Sequence, residues 1–297
     1  MRFPGIIPAV TTPFDASGEI DLAALERNLA ALLDAGVHGL VATGTMGEAG
    51  SLSAAERRTV VQAVVRAADG RVPVIAGVSA GTPAAAIAFA ADAADAGAGA
   101  LMLLPPLGYR GDEREVAAFY RAVAEAAGLP LMAYNNPEAS GTDLLPDVLV
   151  RLYEEIDAVV AVKECSGDAR RIPALLAAAP GLEVLVGGDD WALEGFCAGA
   201  TGWVSGVADI APRECIALFE ACRAGELEAA REVYARLLPL SRFDMTPKLV
   251  QYFKAAMDDV GLAGGPCRPP RLPLLDDERA ALADALAVLR EGAVAAG

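Results

Sequence analysis

Short apolar runs alternate with longer amphipathic stretches along most of this chain. The short runs, rich in Val, Ile, Leu and Ala, are typical of buried strands, whereas the longer Ala/Leu/Glu/Arg stretches repeat their apolar residues with helical spacing. The predicted strands are 5–10, 39–44, 72–78, 99–105, 130–135, 159–165, 182–188 and 201–206. The predicted helices lie near 20–35, 53–68, 82–96, 112–127, 144–154, 168–179, 190–198 and 212–223. The pattern therefore predicts eight strand–helix units in succession.

This alternation favours a single α/β architecture. Units of roughly 25 to 30 residues match a closed barrel of ~250 residues, whereas a doubly wound sheet more often stops at about five to seven strands. Further helices are predicted near 225–239, 246–260 and 276–292, with Gly-Gly-Pro and Pro-Pro breaks before the last. We therefore predict a (β/α)8 TIM barrel at residues 1–223 and a C-terminal three-helix extension at residues 224–297.

The chain is strongly acidic. Its 40 Asp and Glu residues outnumber its 24 Lys and Arg residues, which gives a formal charge of −16 and a pI near 4.5. Such a surface opposes binding to a polyanion, so nucleic acid is not an expected partner. The apolar runs stop short of the ~20 residues that cross a bilayer, so no membrane partner is expected. The N-terminus lacks a basic region, apolar segment and cleavage site in succession, which predicts a cytoplasmic protein.

Cysteine and histidine usage argues against a metal site. The five cysteines include no Cys-x-x-Cys pair, so neither a disulfide framework nor a zinc knuckle is predicted. The single histidine, His38, precedes an apolar run, where a helix-to-strand turn is the simpler interpretation. One histidine cannot build a His-rich zinc site. We therefore expect no metal.

Lysine is rare in this sequence, and one lysine stands in an unusual place. Only three of the 24 basic residues are Lys, and only Lys163 precedes position 248. It lies in the run Val159-Val160-Ala161-Val162-Lys163-Glu164-Cys165, which is predicted to be a buried strand. Unlike a guanidinium, an amine can lose its proton when desolvated, so Lys163 is a candidate Schiff-base nucleophile. The alternative is a lysine paired with a neighbouring carboxylate.

Other candidate residues stand where predicted strands end, because a TIM barrel has its active site at that edge. Glycines flank Thr45 and Met46, and such a loop can present N–H groups to a carboxylate or simply turn into the next helix. Tyr134 can move protons, although a single buried tyrosine is more often a core aromatic. Asp189 and Asp190 are interpreted as helix N-caps, and their charge disfavours a phosphorylated substrate.

Four motifs together resemble those of the dihydrodipicolinate synthase and N-acetylneuraminate lyase family. They are Pro8-x-x-Thr11-Thr12-Pro13-Phe14, Gly44-Thr45-x-Gly47-Glu48, Tyr134-Asn135-x-Pro137 and Val162-Lys163-Glu164. The resemblance runs through essentially the whole chain. It implies class I, Schiff-base chemistry on a 2-oxo acid without a cofactor, in a barrel that assembles as a homotetramer built from two dimers.

The resemblance also implies roles for individual residues. Lys163 would form the imine, Tyr134 would act as general acid/base and Thr45 would belong to a proton relay. The substrate would be bound by Thr45, Met46, Gly47, Asn136, Gly188 and Val204. Desolvation predicts that the pKa of Lys163 falls toward ~7 to 8, the useful range for such an amine.

Departures from the family pattern narrow the prediction. The stretch after Tyr134, Pro137-Glu138-Ala139-Ser140-Gly141, lacks the Arg with which the synthase binds its second substrate, and Leu107 stands where a second relay Tyr is expected. Members that process hydroxyproline-derived pyrroline carboxylates, the pyrroline-hydroxycarboxylate deaminases, show a closer resemblance, which rests on Tyr134-Asn135-Asn136-Pro137, Asp190-Trp191-Ala192-Leu193-Glu194-Gly195 and Ala200-Thr201-Gly202-Trp203-Val204-Ser205-Gly206. We therefore expect an aldolase-, dehydratase- or deaminase-type lyase acting on a small unphosphorylated 2-oxo acid or cyclic imine. The alternatives are synthase-like condensation of pyruvate with an aldehyde and an inactive oxo-acid-binding regulatory protein.

Overall fold

A computed structural model describes residues 2–294 of the chain and contains the predicted eight-stranded barrel. The strands are β1 Gly5–Pro8, β2 Leu40–Ala42, β3 Val74–Gly77, β4 Ala100–Leu103, β5 Leu131–Asn135, β6 Val159–Glu164, β7 Glu183–Val186 and β8 Gly202–Ser205. Every hydrogen-bonded pair is parallel, and each strand pairs with its sequence neighbours. β1 pairs with β8, and a bridge between Ala9 and Val41 joins β1 to β2, so the sheet closes on itself.

The helices lie between the strands and beyond the last one. They are α1 Leu22–Ala35, α2 Ala54–Ala68, α3 Pro83–Asp95, α4 Glu113–Ala127, α5 Pro137–Ser140, α6 Pro146–Glu155, α7 Arg171–Ala178, α8 Ala192–Cys197, α9 Pro212–Ala224, α10 Leu227–Ser241, α11 Leu249–Asp259 and α12 Asp276–Val294. Each predicted helix overlaps one of these, and the short helix α5 was not predicted. The TIM-barrel prediction is confirmed.

Local chemistry explains where several helices begin. Ser53 accepts the N–H of Glu56 while the Glu56 carboxylate accepts the N–H of Ser53, a capping box that starts α2. Asp112 and Glu115 form the same arrangement at α4. His38 lies in the turn between α1 and β2, as predicted, and its Nδ1 accepts the N–H of Ile6 at 3.1 Å.

The last three helices occupy the positions predicted for the extension. α10 packs against α9 of the barrel and against α12. The division into a barrel at 1–223 and an extension at 224–297 stays a prediction, and residues 1 and 295–297 of these segments lie outside the described residues. None of the helices within residues 2–294 combines the length and hydropathy that a bilayer span needs.

Candidate active site

The barrel brings Lys163 and Tyr134 together. β5 and β6 are parallel neighbours, and their register sets Tyr134 directly opposite Lys163. The Lys163 Nζ lies 4.3 Å from the centroid of the Tyr134 ring, and the two residues are only 6% and 5% exposed. Both line a cavity of about 170 Å³ at the carboxyl ends of the strands. The ion pairs within residues 2–294 use Lys248 and Lys254 but not Lys163.

Asn136 holds the phenol of Tyr134. Its Nδ2 donates to the Tyr134 hydroxyl at 3.0 Å and to the Cys165 Sγ at 3.6 Å, and its Oδ1 accepts the N–H of Ala139 at the start of α5. Asn136, whose role in substrate binding stays a prediction, lines the cavity, but its amide is engaged by the protein. Burial raises the pKa of Tyr134 to about 12, although the positive charge of Lys163 and the Asn136 hydrogen bond oppose this rise.

The protonation state of Lys163 differs from the prediction. Burial by itself lowers the pKa of the Lys163 amine, but interactions with the acidic groups of Tyr134, Cys165, Asp244 and Asp189 outweigh burial and raise it above its ordinary value. The predicted fall toward ~7 to 8 is therefore wrong for the unliganded chain, because acidic groups surround the amine. Lys163 rests as an ammonium ion and must lose a proton before it attacks a carbonyl.

The loop after β2 borders the cavity and contains unpaired N–H groups. Thr45 and Met46 line the cavity, and within residues 2–294 no backbone hydrogen bond uses the N–H of Thr45, Met46 or Gly47. The loop is held below by the N–H of Ala49, which donates to the Gly44 carbonyl at 3.2 Å, and by the Thr12 hydroxyl, which donates to the Gly47 carbonyl at 2.8 Å. A nest of free N–H groups suits an anion such as a carboxylate.

A buried ion pair fixes the end of this loop. Glu48 has a left-handed backbone, with φ of 52°, and its fully buried carboxylate accepts from Lys254 Nζ at 2.9 Å. Lys254 lies on α11 and also donates to the carbonyls of Thr12 and Pro266. The second Glu48 oxygen accepts the N–H of Arg268 at 3.1 Å. The C-terminal helices therefore anchor the loop that contains Thr45.

Three other residues were predicted to bind the substrate, and only one of them lines the cavity. Val204 lines the cavity, whereas Gly47 and Gly188 do not. A Cβ at Gly188 would lie 2.3 Å from the Trp191 indole nitrogen, so this glycine makes room for Trp191. The adjacent Gly187 lines the cavity instead, and a Cβ there would lie 2.7 Å from the Glu164 carbonyl oxygen.

Asp189 is not the helix N-cap that the sequence suggested. A 3-10 helix begins at Asp189 itself, and Asp190 lies inside it, so the N-cap prediction is wrong for both. The buried Asp189 carboxylate instead accepts from the Trp203 indole at 2.9 Å and from the N–H of Val207 at 2.7 Å. Burial, followed by the charge of Asp244, raises the pKa of Asp189 well above its usual value.

One segment of the cavity wall lies beyond the barrel strands and was not predicted. Its residues are Asp244, Met245, Thr246, Pro247 and Leu249, between α10 and the first turn of α11. This segment does not follow a strand, whereas candidate residues were expected where strands end. The one available signal was a polar break, Asp-Met-Thr-Pro, between two amphipathic helices. Leu107 and Tyr109 do not line this cavity, and the Tyr109 hydroxyl donates to Glu115.

The cavity is acidic. Its ionisable lining consists of Lys163, Tyr134, Cys165, Glu138 and Asp244, and among residues 2–294 Lys163 is its only cation. Burial raises the pKa of Cys165 to about 12, so the thiol is neutral at physiological pH. Within the same range no group of three His, Cys, Asp or Glu side chains is arranged to hold a metal ion.

Comparison with known proteins gives a consistent result. The family model described as "Dihydrodipicolinate synthetase family" matches residues 2–289. The chain is 39% identical to a 4-hydroxy-tetrahydrodipicolinate synthase of Methanothrix thermoacetophila over 96% of both chains. A second synthase, from Methanopyrus kandleri, is 36% identical over 94% of this chain and 93% of the relative. The solved 4-hydroxy-tetrahydrodipicolinate synthase of Methylacidiphilum fumariolicum superposes with a TM-score of 0.94 at 30% identity, covering 98% of this chain and 97% of that one.

Proposed function

Because this chain belongs to the dihydrodipicolinate synthetase family, whose members are class I Schiff-base lyases, we propose that Lys163 forms an imine with a small 2-oxo acid. The observation that carries this proposal is the position of Lys163: a buried amine, outside any ion pair among residues 2–294, that opens onto a cavity beside Tyr134. A protonated imine withdraws electrons, so bonds near it can break or form.

Other residues of the cavity bind the substrate carboxylate and transfer protons around that imine. The free N–H groups of Thr45 and Met46 bind the substrate carboxylate, which directs the carbonyl carbon toward Lys163. Tyr134, neutral because its pKa is raised to about 12, gives its proton to the carbonyl oxygen and regains one from the Lys163 ammonium, so that two ammonium protons leave with that oxygen as water and the phenol ends the step protonated. Thr45 lines the same cavity as Tyr134 and extends the proton relay, as the family resemblance implies.

The lining of the cavity limits the substrate. Lys163 is its only cation among residues 2–294, and Glu138 and Asp244 add negative charge. A phosphate group or a second carboxylate would meet like charge there, which costs affinity. We therefore propose an unphosphorylated 2-oxo acid or a cyclic imine whose distal part carries hydroxyl or cationic nitrogen groups, consistent with aldolase, dehydratase or deaminase chemistry.

Condensation of pyruvate with an aldehyde is the second candidate. Its support is the similarity to 4-hydroxy-tetrahydrodipicolinate synthases at 39% and 36% identity. Against it, Ala139 lines the cavity in the segment where the synthase pattern has Arg. A screen of aldehyde acceptors against dehydration and deamination substrates separates the two candidates.

Borohydride trapping tests the proposal directly. Reduction in the presence of pyruvate should attach the reduced pyruvate to Lys163, as peptide mass spectrometry would show. Lys163→Arg keeps the positive charge but cannot form the imine, so it should remain unmodified. Labelling at Lys248 or Lys254 instead of Lys163 would contradict the proposal. Tight binding of oxo acids without trapping or turnover would support the regulatory alternative.

Assembly and location complete the proposal. We propose a homotetramer, a dimer of dimers, because the family resemblance implies one, and sedimentation of the purified chain tests it. We also propose a cytoplasmic location, because all five cysteines are free, as is usual in a reducing compartment. Cell fractionation tests the location.

A further inference from the structure

Asp244 holds a defined position in the wall of the cavity that contains Lys163. It belongs to the 3-10 helix Arg242–Met245, and its Oδ2 accepts the N–H of Asp189 at 3.1 Å. The neighbouring Phe243 ring stacks on Tyr252 with centroids 4.1 Å apart. Oδ1 of Asp244 receives no hydrogen bond from the part of the chain that the structure describes. One carboxylate oxygen is therefore tied to the scaffold and the other remains free.

The imine chemistry needs a base at the carbon next to the imine, and the other groups in the cavity suit this task poorly. Burial raises the pKa of both Tyr134 and Cys165 to about 12, so the phenol and the thiol are protonated at neutral pH. Lys163 is consumed in the imine. Glu138 lies on the exposed face of the short helix α5. Among the ionisable groups of the cavity lining, this leaves the carboxylate of Asp244 as the base.

The surroundings of Asp244 tune its basicity. Burial is the largest cause that raises its pKa, to about 6, and the N–H of Asp189 and the charge of Lys163 oppose the rise. The charges of Asp190 and Glu138 raise it further. Asp244 is thus mostly a carboxylate at neutral pH, yet it binds a proton more readily than an ordinary aspartate, which suits a group that must accept and then return one.

We propose that Asp244 is a catalytic residue which takes a proton from C3 of the imine-bound substrate and returns it to a hydroxyl leaving from C4. The substrate class is then a 4-hydroxy-2-oxo acid that loses water. This inference rests on the proposed imine at Lys163 and names the reaction that the imine serves.

The atoms balance without a further reactant. The C3–H bond breaks, its proton moves to the Asp244 carboxylate, and its electron pair forms the C2–C3 double bond of an enamine. The enamine pair then forms a C3–C4 double bond as the C4–O bond breaks with its electrons on oxygen. That oxygen takes the proton from Asp244 and leaves as water. Hydrolysis of the remaining imine consumes one water and returns the Lys163 amine together with an unsaturated 2-oxo acid.

The test uses pyruvate as a probe, because its methyl group is the C3 position. We expect wild-type protein in D2O to exchange the methyl protons of saturating pyruvate, as NMR would record. Asp244→Asn should slow this exchange by about 10²- to 10⁴-fold, the range typical of a lost general base. Borohydride should still attach pyruvate to Lys163 in this variant. The Asn oxygen can still accept the Asp189 N–H, so the fold should persist.

Controls separate the possible outcomes. Asp34→Asn removes an exposed charge near the end of α1, away from the cavity, and should change neither exchange nor trapping. Failure of trapping in the wild type would overturn the imine at Lys163, and with it the proposed function. Normal exchange in Asp244→Asn, or loss of both exchange and trapping in a folded variant, would overturn the role of Asp244 at C3.

The pH dependence of the wild type is an independent check. Because the base must be a carboxylate, exchange at saturating pyruvate should fall as the pH drops through about 6, where Asp244 gains a proton. The charged groups that act on Asp244 are Lys163, Asp190 and Glu138, with Asp189 coupled to it. A rate that stays constant across about pH 5 to 8 would overturn the proposal.

Discussion

At the scale of single residues, the chemistry depends on what surrounds Lys163 and Tyr134. Sequence position alone marks Lys163 as unusual, since it is one of three lysines and lies in an apolar strand. The structure adds that Tyr134 is its register partner and that Asn136 donates to the Tyr134 hydroxyl. A phenol held in this way can serve as a proton donor without being ionised.

Tyr134→Phe tests the role of the hydroxyl. The rate of borohydride-trappable imine formation with pyruvate should fall by about 10²- to 10⁴-fold, because the carbonyl oxygen loses its proton donor. Tyr153→Phe is a control, because Tyr153 lies on α6 and does not line the cavity. That change should leave the rate intact. Equal rates in both variants would exclude proton donation by Tyr134.

At the scale of elements, the loop after β2 and helix α11 depend on one another. The pair Glu48–Lys254 is almost completely buried, with side-chain exposures of 0% and 1%, and joins the two elements. Breaking a buried pair leaves one uncompensated charge in the core. The free N–H groups of Thr45 and Met46 therefore depend on residues far away in the sequence.

Lys254→Met tests this dependence. We expect a loss of about 3 kcal/mol in the free energy of unfolding by urea, because buried Glu48 loses its nearest counter-ion and, among residues 2–294, keeps only Arg271, at 3.5 Å. Adding Glu48→Gln should recover part of the loss. Glu228→Gln breaks the exposed pair with Arg231 and should cost less than about 1 kcal/mol. Similar losses for the buried and the exposed pair would contradict the assigned role of Glu48–Lys254.

At the scale of the whole molecule, the extension completes the active site. The barrel supplies Lys163, Tyr134 and the carboxylate-binding loop, and the segment between α10 and α11 supplies Asp244. Asp189 is buried and Asp244 lies half-buried beside it, and the loss of solvation raises the pKa of both carboxylates. Two poorly solvated carboxylates side by side lower the free energy of unfolding, as is common in catalytic sites.

Asp244→Asn should therefore stabilise the protein while slowing C3 exchange. An acid whose pKa rises on folding, here from 3.8 to about 6, loses stability as the pH rises through that window. The variant should gain about 1 to 3 kcal/mol at pH ~8 and nothing at pH ~4, as urea unfolding at the two pH values would show. Asp34→Asn should stay within about 0.5 kcal/mol of the wild type at both. Destabilisation of Asp244→Asn at the higher pH would contradict this account.

The sequence by itself determined the barrel and the identity of its reactive amine. The strands follow from short continuous apolar runs and the helices from a periodicity of 3.6 residues, which are local properties. Parallel strands then carry residues such as Tyr134 and Lys163 to one edge without further information. The Ser53–Glu56 capping box is equally local, because its partners are three residues apart.

Only the tertiary structure decided the electrostatics and the far wall of the cavity. Asp189 and Asp244 are 55 residues apart, and Glu48 and Lys254 are 206 apart, so no local pattern joins them. The predicted direction of the Lys163 pKa was wrong because burial could be anticipated from apolar neighbours but the nearby acids could not. Charge interactions depend on distances through folded space, and those distances exist only once the chain has folded.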